Sequence, residues 1–67
     1  MELFIARVSK RLTQWELARK SGISPSQLSL FEHGYRLPSP EVMEKIAKVL
    51  DIPVDEIEWP ILNTHKQ

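Results

Sequence analysis

Catalytic chemistry finds few candidates in this chain. Its two histidines, His33 and His65, stand far apart and there is no cysteine, so no metal-ligand spacing is present. No nucleophile motif and no phosphate-binding glycine loop can be read. The chain is therefore expected to be no enzyme and to carry no cofactor. What remains is a set of short polar and apolar side chains suited to contacting a surface. Ser26 and Leu30 recur at helical spacing, Gln27 and Ser29 stand beside them, and Gln14 and Arg36 lie before and after; His33 falls on the same face but reads as a favourable helix-terminus residue.

Two short helices must carry these residues. Thr13 is a strong N-cap and Glu16, three residues on, completes a capping box, so a helix runs from Gln14 to about Lys20. Leu17 and Ala18 point inward, opposite Trp15 and Arg19. Gly22 supplies the left-handed residue that ends it. Ser24 is the next cap, Pro25 suits the first helical position and Gln27 repeats the box. The second helix runs to about His33 and stops at Gly34. At about 100° per residue, Leu28 and Phe31 share its inward face, leaving Ser26, Leu30 and His33 outward with Ser29 alongside. In a small domain, the foremost use of two helices joined this way is to place the second in the major groove of DNA.

The flanking segments supply the rest of a core. A first helix is expected over 2–11, with Leu3, Ala6, Arg7 and the stem of Lys10 on one stripe and Phe4, Ile5 and Val8 widening the apolar surface. Ser39 caps a further helix that begins at Pro40 and buries Met43, Ile46, Ala47 and Leu50. Its solvent side offers two i,i+4 ion pairs, Glu41 with Lys45 and Glu44 with Lys48. Asp51-Ile-Pro53 breaks it, and Val54 to Trp59 suits a short fifth helix ended by Pro60. Residues 63–67 read as a frayed tail. No segment alternates with a strand's period, so the fold class is all-α. The expected organisation is a helix-turn-helix domain over 1–59, with its two-helix unit at 13–33, and a tail over 60–67.

Composition agrees with one small domain. Sixty-seven residues hide only about 60% of the unfolded surface, yet 42% hydrophobic residues suffice for a compact fold and argue against disorder. No apolar run approaches the ~18 residues of a membrane span, and the start is a poor signal peptide. With no cysteine, a cytoplasmic location is expected. The net charge is zero but unevenly placed. Residues 1–36 hold six Lys/Arg against three Glu, and residues 37–67 hold three Lys against six acids. A basic half could face phosphates while the acidic half stays away; the competing reading is a solvated surface with chance asymmetry.

Leu12-Thr-Gln-x-x-Leu-Ala, Ser21-Gly-Ile-Ser, Leu28-Ser-x-x-Glu-x-Gly34, Pro38, Ile46-Ala-x-x-Leu50 and Val54-Asp-Glu-Ile57 together resemble the Cro/lambda-repressor type of helix-turn-helix regulator. The resemblance implies a compact five-helix lambda-repressor-like DNA-binding domain in which the second helix braces the DNA backbone and the third reads bases. It implies that Gln14 bonds a phosphate and that Pro25, Ser26 and Leu30 are the base-reading positions, flanked by Gln27 and Ser29. It also implies that Arg36 touches the next phosphates and that Arg7 and Glu32 form a buried ion pair between helices. The reading positions depart from the family's pattern, because none is an Arg, Gln or Asn able to make bidentate contacts. Shape readout and flanking contacts are thus expected to contribute more. Helix 1 begins almost at Met1, so no N-terminal arm is expected.

Several residues keep two readings. Gln27, Ser26 and Ser29 suit helix-start chemistry as well as DNA contact. Trp15 could lie on the sugar-phosphate backbone, stack on Arg19, or pack under the tail. Trp59, Ile61 and Leu62 either cap the monomer's own core or form a two-fold dimer contact. The expected function is a sequence-specific double-stranded DNA-binding transcriptional regulator, a small dimeric repressor that occludes a promoter. The alternative is a protein-interaction module of the same fold, such as an antitoxin that binds a toxin partner.

Overall fold

A computed structural model describes residues 1–62; the tail expectation over 63–67, with His65, lies outside the described residues. Four α-helices are present: α1 (Leu3–Ser9), α2 (Gln14–Ser21), α3 (Pro25–His33) and α4 (Pro40–Leu50), followed by a 3₁₀ turn at Val54–Glu56. No strand occurs among the described residues. The expected fifth α-helix over 54–59 is thus only a three-residue 3₁₀ turn. Ile57 already has extended backbone, with φ −101° and ψ 128°. Glu58 then pairs with the chain start, its N–H bonding the Met1 carbonyl at 2.7 Å and its carbonyl accepting from the Leu3 N–H at 3.2 Å. That pairing requires extended chain, and a helix this short gains too little to compete with it.

Helix α1 is also shorter than the expected 2–11. Arg11 takes a left-handed conformation (φ 59°), and the N–H of Leu12 folds back to the Arg7 carbonyl at 3.3 Å. This closure ends α1 and delivers Thr13 to its capping position. Both capping boxes form. Thr13 accepts from Glu16 N–H at 3.0 Å while Glu16 Oε1 accepts from Thr13 N–H at 2.8 Å. Ser24 and Gln27 repeat the pattern at 3.1 and 3.2 Å. Gly22 and Gly34 end α2 and α3 at φ 76° and 80°, backbone that side chains with a Cβ resist.

The core draws on every element. Leu3 and Ala6 from α1 meet Leu17 and Ala18 from α2, Leu28 and Phe31 from α3, and Ile46, Ala47 and Leu50 from α4, with Ile57 closing the end. No helix is long and apolar enough to cross a membrane among the described residues. The two expected lysine–glutamate pairs on α4 are absent: the ion pairs among the described residues are Met1–Glu58 and Arg7–Glu32. Exposed pairs of long side chains gain little Coulomb energy in water against the entropy of holding them.

Candidate nucleic-acid interface

The presentation of α3 begins at its buried side. Leu28 is fully buried and Phe31 nearly so, which fixes the helix's rotation. Ser26, Leu30 and His33 are consequently turned to solvent, and Ser29 and Pro25 are half-buried at one flank. Gln27 is exposed at the other flank, where its Oε1 is occupied by the Ser24 N–H. Its capping role is therefore a structural fact, and its Nε2 group is left for another acceptor. Leu30, at 37% exposure, is the largest apolar group on this face.

His33 occupies the centre of the same face and was absent from the residues singled out by family resemblance. Its signal was present in the Ser26–Leu30–His33 spacing. Its Nδ1 lies 2.8 Å from the Ser29 carbonyl oxygen, a contact that only a protonated Nδ1 can make as a hydrogen bond. The ring stacks on Tyr35 across Gly34, with centroids 5.8 Å apart and planes 10° from parallel. This stack steadies the start of the loop that carries Arg36, which is exposed.

Beneath this face sits a charged network. Glu32 Oε2 accepts from Arg7 Nε at 2.6 Å, and Oε1 accepts from Arg7 Nη2 at 3.2 Å. Arg7 Nη1 also donates to the Leu12 carbonyl at 2.9 Å. The two side chains are 12% and 4% exposed, so the pair is largely desolvated. Gln14 joins it, with Nε2 donating to Glu32 Oε1 at 3.0 Å. The amide is thus held against α3, with a second N–H and its oxygen still available for an outside partner. Arg7 further stacks over the Phe4 ring at 5.3 Å. One carboxylate thereby ties together α1, α2 and α3.

Two residues with open readings can now be placed. Trp15 is 72% exposed, beside Gln14 in the first turn of α2, and the packing of the tail over 63–67 lies outside the described residues. The cation–π contact among the described residues is Arg7 with Phe4, not Arg19 with Trp15. Trp59 is half-buried against its own chain's core and donates Nε1 to the Val54 carbonyl at 3.3 Å. Ile61 and Leu62 remain 65% and 49% exposed, although Leu62 N–H bonds the Gly34 carbonyl. The three residues are therefore not equivalent. Among the described residues no group of three or more His, Asp or Glu side chains could hold a metal ion.

The helix-turn-helix family model matches residues 3–57. The chain is 43% identical over 54 residues to an uncharacterised HTH-type transcriptional regulator, YazB, of Bacillus subtilis (strain 168), covering 81% of this chain and 78% of that protein. Among solved structures, the master regulator for biofilm formation SinR in complex with DNA is 35% identical with a TM-score of 0.75, covering 79% of this chain and 86% of that one. The N-terminal DNA-binding domain of SinR from Bacillus subtilis is 30% identical with a TM-score of 0.76, covering 97% and 90%. The clp gene regulator ClgR from Corynebacterium glutamicum is 33% identical with a TM-score of 0.78; 81% of this chain spans 57% of that one. The antitoxin alternative gains no support from these relatives. The shared fold and the matched family model together place this chain in the helix-turn-helix family, of the Cro/lambda-repressor type.

Proposed function

We propose that this chain is a sequence-specific transcriptional regulator that binds double-stranded DNA, with α3 in the major groove. The observation that carries this reading is the rotation of α3. Burial of Leu28 and Phe31 turns Ser26, Leu30 and His33 outward on a helix locked by the Arg7–Glu32–Gln14 network. SinR, a similar structure, is described in complex with DNA. Gln14, Trp15 and Arg36 flank that face and serve as backbone contacts; Pro25, Ser26, Gln27, Ser29 and Leu30 meet base edges and the adjoining sugars. Leu30 offers apolar contact, for instance to a thymine methyl group. The protein acts as a homodimeric repressor in the cytoplasm, occluding a promoter, with half-sites about 34 Å apart.

The test is a fluorescence-anisotropy titration on a duplex selected from a random pool, at two salt concentrations. Affinity is expected to fall steeply with salt, because each neutralised phosphate contributes a log–log slope of about −0.9. Arg36→Ala should weaken all sequences alike and reduce the slope by about one phosphate, whereas Leu30→Ala should change the preferred site. Absence of binding at low salt overturns the reading.

A further inference from the structure

Helix α1 has two apolar sides. Leu3 and Ala6 are fully buried in the core. Phe4, Ile5 and Val8 stand on the opposite side, at about 100° per residue, and each is about half exposed. Met1 is exposed to the same degree at the N-terminal end of the helix. A helix that is apolar all round is normally a covered one. The charges around this stripe are divided by end. At the N-terminal end Glu2 bridges to Glu58, and the Met1 ammonium lies 3.7 Å from the Glu58 carboxylate and 3.2 Å from the Glu56 carbonyl. The carboxylates of Glu2, Glu56 and Glu58 thus gather there against one ammonium. At the C-terminal end stand Lys10 and Arg11, both exposed and neither in an ion pair among the described residues. A surface with an apolar middle, one acidic end and one basic end is complementary to itself after a half-turn. Two antiparallel copies set each acidic end on the other's basic end, which is the condition of an isologous contact.

We infer that the outer face of α1 docks the same face of a second copy, antiparallel, with Phe4, Ile5 and Val8 in the middle and the acidic end of each copy against Lys10 and Arg11 of the other. The apolar middle supplies affinity, and the charges fix the orientation. Half-exposed side chains of this number bury on the order of a few hundred Å² per copy, short of the ~800 Å² per partner of a stable interface. The contact is therefore weak between dilute molecules and joins copies held at high local concentration. It shares no residue with the α3 face or with Ile61 and Leu62, and it does not depend on the proposed function.

The test is sedimentation equilibrium of the full chain carrying Ile61→Ser/Leu62→Ser, which isolates the α1 contact, from about 10 μM to about 1 mM. Reversible dimer formation is expected within this range. Adding Ile5→Gln/Val8→Gln, good helix formers at exposed positions, should weaken it roughly tenfold or more while the thermal midpoint stays that of the parent. Two charge-altered chains in the same background test the orientation. Lys10→Glu/Arg11→Glu is acidic at both ends of the stripe, and Glu2→Lys/Glu56→Lys is basic at both; all four positions are exposed. Each alone should remain monomeric, and their equimolar mixture should regain association. A parent chain that stays monomeric throughout, an Ile5→Gln/Val8→Gln chain that associates as well as its parent, or a mixture that stays monomeric overturns the inference.

Discussion

Glu32 accepts hydrogen bonds from two helices at once while carrying a largely desolvated charge. Removing one member of such a pair strands the other in a poor solvent. Glu32→Ala is expected to lower stability by about 3–5 kcal/mol, read by urea denaturation, with Glu32→Gln intermediate because it keeps the shape and an acceptor but not the charge. That is a large share of the ~5–15 kcal/mol typical of whole domains. An unchanged midpoint for Glu32→Ala would show that Arg7 finds equal solvation elsewhere. Glu16 gives a gentler case. The Thr13 backbone N–H, then its hydroxyl, hold the Glu16 carboxyl below its ordinary value near 4.5. A depressed folded pKa means that the unfolded chain binds protons more readily. The contribution is therefore complete above the ordinary value and is lost as pH falls through the lowered one. A carbon-detected NMR titration should show Glu16 ionised below pH 4.5, and Thr13→Ala should raise its midpoint.

At the scale of elements, the two glycine stops differ in what lies over them. Gly22 and Gly34 share the same left-handed backbone, but a Cβ at Gly22 meets nothing within 4 Å. One at Gly34 would lie 3.0 Å from the Leu62 nitrogen and 3.3 Å from Ile61 backbone atoms. Gly22→Ala should therefore cost only the conformational penalty, about 1–2 kcal/mol. Gly34→Ala should cost more, because the backbone of 61–62 and its bond to the Gly34 carbonyl must shift. Thermal midpoints of the two variants measure the difference, and equal losses would mean that the 61–62 segment moves away without cost. Helix α1 shows a related economy. It is held less by caps, since Glu2 makes no side-chain cap bond, than by Arg7 and by the pairing of Met1 and Leu3 with Glu58.

For the whole molecule, we propose that the two-fold dimer contact is made by Ile61 and Leu62, which are exposed beside the α3–α4 loop. Sedimentation at micromolar concentration is expected to give a dimer for the natural sequence and a monomer for Ile61→Ser/Leu62→Ser. Both side chains are exposed, so the monomer's core is untouched by these changes. Equal masses would remove this contact from the interface. Trp59 is a different matter, since its ring belongs to the monomer's own packing.

Local patterns determined most of the fold. Thr13 with Glu16, Ser24 with Gln27, Ser39 with Pro40, and the two stop glycines mark helix ends through bonds made within a few residues, so they can be read from spacing alone. The inward stripes of α2 and α3 follow from helical period in the same way, as do Ile46, Ala47 and Leu50 of α4, while Met43, expected with them, is only half-buried and lies outside the core. Tertiary structure decided what depends on distant partners. The fifth helix shrank because Glu58 pairs with Met1 and Leu3, more than fifty residues away in sequence. Gln14 gained its bond to Glu32 only once α2 lay against α3. The sequence by itself specifies where helices start, stop and turn their apolar sides. Which polar groups are left facing outward, and which are already satisfied, is settled by contacts that no local pattern encodes.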